Sequence, residues 1–193
     1  RNMHICSPDG VKYEVGECVR EMDRYRLYVC TLPDGSEALL KIAAQSVFSG
    51  LLDREALLLR ELLEGAQKQE DAYSKVKKNP EQRLNYHFFF PELLETFICA
   101  EQGGRRISVL SFANVADQLV DLVPVSLIAR EDKARVDPRT SAWILGKLLK
   151  LLVFAHSQNV SRLALAGGDV LINREQHYVT IFDWSTAFLN DDT

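Results

Sequence analysis

Apolar and polar positions change rhythm along this chain. Two-residue alternation marks 13–19 and 25–31 as strands, and Pro33-Asp34-Gly35 is a turn before a third strand at 37–43. From residue 51 the spacing widens. Leucines at 52, 59 and 63, with Ala56, Leu58 and Leu62 beside them, draw one apolar stripe and predict a helix over 51–64. Residues 65–86, rich in Lys, Glu and Gln, read as a solvated helical extension and loop that ends near Asn79-Pro80. Strands return at 93–99 and 107–112, on either side of a Gly103-Gly104 turn. Asp137 then Pro138 signals a helix start, aspartate as N-cap and proline as first helical residue, with the helix running to about Gln158. Trp143, Leu145, Leu148, Leu149, Leu152 and Ala155 cover more than one of its faces, so deep burial is expected. The strands 170–173 and 178–182 form a closing hairpin, and residues 1–10 read as a polar lead-in.

Composition narrows the classes. A chain of 193 residues makes one large domain or two small lobes with a proper core. A net charge of -4 offers no basic surplus for phosphate backbones, so no nucleic-acid partner is expected. The longest apolar run, around 148–155, is interrupted by Lys150 and too short for a bilayer, so no membrane partner is expected either. Cys6, Cys18, Cys30 and Cys99 fit no metal-ligand spacing and are read as reduced thiols of a cytoplasmic protein.

Two places carry candidate chemistry. In the strand Ala38-Leu39-Leu40-Lys41-Ile42, alternation turns Lys41 to the same face as Leu39. In the helix that follows, Glu55 has leucines at +3, +4 and +7, which sets its carboxylate on the apolar stripe. A charge there is costly without a partner, and Lys41 is the natural one; Glu61 sits nearer the polar side. At the other end, Asp169 and Asp183 flank the closing hairpin. Two carboxylates at a hairpin mouth suit a magnesium ion, which wants hard oxygen ligands. His156, late in the apolar helix, is read as structural and His177, in the hairpin turn, as solvent-facing.

In their order and spacing these segments resemble the protein kinase-like superfamily, closest to divergent bacterial and phage-type kinase-like domains. The likeness covers about residues 11–188. It rests on 38–42, Arg54-Glu55-Ala56, the helix from Pro138 to His156-Ser157, Asp169-Val170-Leu171-Ile172 and Phe182-Asp183-Trp184-Ser185. The resemblance implies an α+β, two-lobed protein kinase-like fold. Residues 1–110 would form an N-lobe with an antiparallel sheet and one helix, and 111–193 the hinge and a minimal or truncated, mainly helical C-lobe. It further implies that Lys41 and Glu55 position ATP phosphates, that Leu110 is the gatekeeper, and that backbone groups of Ser111 and Ala113 meet adenine. Asp169, at the position of the family's metal-binding asparagine, and Asp183 would hold magnesium.

The departures bear on function. The glycine-rich loop is reduced to Gly16, and Glu21 and Asp23 would repel a triphosphate. The catalytic aspartate of the family falls on Ala164 when the match is anchored on Val170-Leu171-Ile172, and on Leu163 when anchored on Ser161-Arg162. Neither side chain can take a proton from an attacking hydroxyl. Trp184-Ser185 replaces Phe-Gly after Asp183. The expectation is a pseudokinase that binds or once bound ATP, with magnesium, and acts as a regulatory or interaction module. Its partner would be a protein or another domain of the same polypeptide. The alternative is an active atypical phosphotransferase using ATP and magnesium.

Overall fold

The computed structural model describes residues 3–112, 115, 117–118, 121–131, 138–162, 165 and 168–190, without the side chains of 129–131. They form two compact units: Arg1–Leu57 with Glu92–Gln118, and Leu58–Pro91 with Leu119–Thr193.

The first unit is a six-stranded antiparallel sheet. Its strands are β1 (Met3–Cys6), β2 (Lys12–Glu21), β3 (Tyr25–Thr31), β4 (Glu37–Ala43), β5 (Glu92–Cys99) and β6 (Arg105–Ser111), in the order β1-β2-β3-β4-β6-β5. Strand β1 corrects the expected polar lead-in. Only Ile5 of its four residues is buried, so it carries no apolar alternation, and pairing of Met3 to Cys6 with Val15 to Lys12 makes it a strand. Ile5, Tyr13, Val15, Cys30, Leu40, Ile42 and Val109 are among the residues of one core cluster, whereas Leu39 and Lys41 of β4 point to the opposite face. Every residue of β4 after Glu37 is buried, so this strand is covered on both faces.

A short 3-10 turn, Ser46–Phe48, leads into α1 (Ser49–Val76). This helix runs three turns beyond residue 64, where the polar residues continue it as the expected solvated extension. Its residues 49–57 belong to the first unit and 58–76 to the second. The Ser49 hydroxyl accepts the backbone N–H of Arg106 at 2.9 Å, and the Arg106 guanidinium lies 3.4 Å from Asp53. The start of α1 is thereby fixed to β6.

The second unit holds the rest of α1, then β7 (Val123–Pro124), α2 (Val125–Glu131), α3 (Pro138–Ser157), β8 (Val160–Ser161), β9 (Val170–Asn173), β10 (Tyr178–Ile181) and β11 (Phe188–Leu189). Strand β9 lies between β10 and β7, and β8 pairs with β11. Phe90 meets Phe154 of α3 and Trp184, at centroid distances of 5.7 and 5.2 Å. The expectation that α3 is buried all round is overturned. Leu151, Phe154 and Ala155 are buried, while Leu145, Leu149 and Val153, four residues apart on one face, are exposed. His156 is exposed as well, which corrects its reading as a buried structural histidine. His177 is exposed, with its ring stacked on Trp143. Asp137, the expected N-cap, lies outside the described residues.

Candidate functional site

The first unit contains the lysine. Lys41 sits opposite Leu27 of β3 and Ser108 of β6, in the middle of the sheet, with no exposed surface. Its Nζ donates to both oxygens of Glu55, at 3.0 and 2.8 Å, and stands 4.2 Å from the centre of the Tyr25 ring. The ring face attracts the cation, and the carboxylate neutralises it. Glu55 is 1% exposed, so neither charge is shared with bulk water, whereas Glu61 is exposed. The placement follows from two periodicities. The pleat turns Lys41 off the core-cluster face, and the helical turn brings Glu55 round to it, one helix after the strand.

The segment expected to meet adenine is held by its own side chains. Leu110 is fully buried in β6, and Ser111 pairs with Glu92 of β5. The N–H of Phe112 donates to Gln118 Oε1 at 2.8 Å, while Gln118 Nε2 donates to the Val115 carbonyl. Ala113 lies outside the described residues. Gly16 is a strand residue of β2, not part of a loop. A Cβ there would stand 3.2 Å from the Val29 carbonyl, so this glycine serves strand packing. The β2–β3 turn is closed by the exposed Arg26–Glu21 ion pair at 3.0 Å.

The second unit contains the acids. The register of the β9–β10 hairpin ends with Ile181 opposite Val170, so Asp169 and Asp183 stand at the same end of it. Both are buried. Asp183 Oδ1 accepts the Ser185 hydroxyl at 2.6 Å and the Ser185 N–H at 3.0 Å, a tight turn that Trp184 anchors by donating its indole N–H to the Ile181 carbonyl. Asp169 Oδ2 lies 3.1 Å from Arg162 Nη2, and this pair too is shielded. Leu163 and Ala164, the two positions on which the family's catalytic aspartate would fall, lie outside the described residues.

Thus the structure joins Lys41 to Glu55, and Asp169 and Asp183 to one hairpin end. Four participants escaped the sequence reading: Tyr25 over the ammonium, Gln118 on Phe112 and Val115, Arg162 on Asp169 and Ser185 on Asp183. A cue for the third was present, since Arg162 stands seven positions before Asp169 with an opposite charge.

The Lys41 side chain has no exposed surface, and the Arg162 guanidinium stands 3.1 Å from Asp169. Among the described residues, no group of three His, Cys, Asp or Glu side chains is arranged to hold a metal ion.

An antiparallel sheet, a helix between its fourth and fifth strands whose glutamate meets a sheet lysine, and a mainly helical second unit with a hairpin late in the chain make an α+β fold of the protein kinase-like class. Among solved structures, that of vaccinia related kinase 3 matches it with a TM-score of 0.65 at 15% sequence identity, over 97% of this chain. The chain spans 52% of that structure, about half its length. No protein-family model and no curated protein matches the chain. Among the described residues no helix is long and apolar enough to cross a membrane.

Proposed function

We propose that this chain is a pseudokinase, a kinase-like module that works by binding a protein partner or another domain of its own polypeptide and does not transfer phosphate. The Lys41–Glu55 pair, at 3.0 and 2.8 Å, is one that active kinases also form, so it does not separate the two readings. The observation that carries the pseudokinase reading is in the sequence: Leu163 and Ala164 stand where the family has its catalytic aspartate, and neither side chain can orient an attacking hydroxyl. The reduction of the glycine loop to a packing glycine in β2 supports it too.

The test is calorimetric and thermal-shift titration with ATP, with and without magnesium, beside a phosphate-release assay. The expected result is neither stabilisation at millimolar ATP nor turnover. Binding would stabilise the fold by mass action, about 2.7 kcal/mol at a hundredfold excess over the dissociation constant, which such a scan detects. Stabilisation that disappears in Lys41→Met would show that the lysine still serves a nucleotide. Turnover that disappears in Asp183→Ala would establish the active phosphotransferase instead.

A further inference from the structure

We infer that Arg162 is an internal counter-cation that fills the metal place at the Asp169–Asp183 end of the β9–β10 hairpin, so that this end of the second unit takes no divalent ion while Arg162 is present. The inference goes beyond the reading above and does not depend on it, since it concerns cations and not nucleotides.

Four observations carry it. The Arg162 guanidinium stands 3.1 Å from Asp169 Oδ2, and the two side chains are only 5% and 11% exposed. Water screens such a pair little, and the planar guanidinium suits a carboxylate better than a point cation does. Second, both ends of the loop that joins them are fixed by strands. Ser161 pairs with Phe188 and its hydroxyl accepts from Asn190 Nδ2 at 2.7 Å, while Asp169 directly precedes β9. Arg162 therefore starts from an anchored backbone. Third, Asp183 Oδ1 is already engaged by both donors of Ser185. Fourth, among the described residues no group of three His, Cys, Asp or Glu side chains is arranged to hold a metal ion.

A hard divalent ion would bind here through one or both carboxylates, with water completing its shell. It would have to displace the guanidinium from Asp169 and break that shielded pair, or else lie beside it at close range. Both are unfavourable in a shielded site. The arginine thus does by charge what a metal would do, and does it permanently.

The experiment is a titration of the whole chain with Mn²⁺ alone, without nucleotide, followed by calorimetry and by paramagnetic broadening of the backbone amides of Val170 and Ser185. The wild-type protein is expected to show no local broadening up to about 1 mM, the weak end of protein cation sites. Arg162→Gln, with a circular dichroism spectrum like the wild type, is expected to gain affinity by roughly tenfold or more, the scale on which groups next to a metal act. Local broadening in the wild type at lower concentration would sink the inference outright, whether or not Arg162→Gln folds. A folded Arg162→Gln that takes Mn²⁺ no better than the wild type would also overturn it. Because no nucleotide enters the experiment, its failure is separate from failure of the pseudokinase reading.

Discussion

A lysine without exposed surface survives in this sheet because two neighbours offset its desolvation. Glu55 supplies the opposite charge and Tyr25 the electron-rich ring face. Removing one partner takes from the other, still buried, its opposite charge at hydrogen-bond distance. Lys41→Met and Glu55→Gln should therefore each lower the unfolding free energy by about 3–5 kcal/mol in urea denaturation. The double variant Lys41→Met/Glu55→Leu should cost clearly less than the sum of the two, because no charge is stranded. Additive losses would show that the pair does not act as a unit. The meeting of these two residues was legible in the sequence, from pleat alternation on one side and an apolar helical stripe on the other. Arg162–Asp169 was less so. Its arginine reads equally well as part of a catalytic-loop remnant, and no periodicity runs through a loop to say which acid it reaches. Tyr25 over Lys41 was hidden for a related reason. Pairing of Leu27 with Lys41 sets which residues face each other, but a ring two positions away reaches across only if its rotamer allows.

Most strands were legible at the element scale because alternation and turn residues agreed, and the misses share one cause. Strand β1 has a single buried residue, so pairing and not its own pattern makes it a strand. In α3, leucine and valine on several faces suggested burial all round, but composition does not tell which face a neighbour covers. The two faces should differ sharply. Leu151→Ala, at a fully buried position, is expected to cost about 2–5 kcal/mol, whereas Leu149→Gln on the open face should stay within about 0.5 kcal/mol. Equal losses in denaturant melts would mean that the outer face is covered after all. Glycines sort in the same way. In α1 a Cβ on Gly65 would strike the Gln158 amide, the far end of a flexible side chain. Gly65→Ala combined with Gln158→Ala should therefore gain up to about 1 kcal/mol of helix propensity, more than Gly65→Ala alone. In β2 the obstacle to a Cβ on Gly16 is the Val29 backbone carbonyl, which cannot swing aside, so Gly16→Ala should lower the thermal midpoint.

For the molecule as a whole, a fold shared at 15% identity must be specified by pattern more than by particular residues. What such patterns leave unwritten is the ionisation of groups that the fold happens to enclose. Three of these set a common alkaline limit. Burial pushes the Cys30 thiol, in the core of the first unit, from 9.0 up to about 12, with Glu37 adding to the effect. Burial also raises the Tyr13 hydroxyl, helped by its hydrogen bond to Glu95, and raises Tyr178 in the second unit. All three ionise more readily in the unfolded chain than in the folded one. The unfolded state therefore gives up protons first as pH rises, and it gains from doing so. Their contribution is complete below the unfolded values, near 9 for the thiol, and falls away as pH climbs toward the folded ones. Urea midpoints should hold steady below that range and fall above it, by no more than about 1.4 kcal/mol per pH unit for each group. Replacing Cys30 by Val keeps an apolar core side chain and removes one titrating group, so the decline should become shallower. A midpoint that stays level to pH 11, or a slope that Cys30→Val leaves unchanged, would show that the thiol is not shielded as its burial implies.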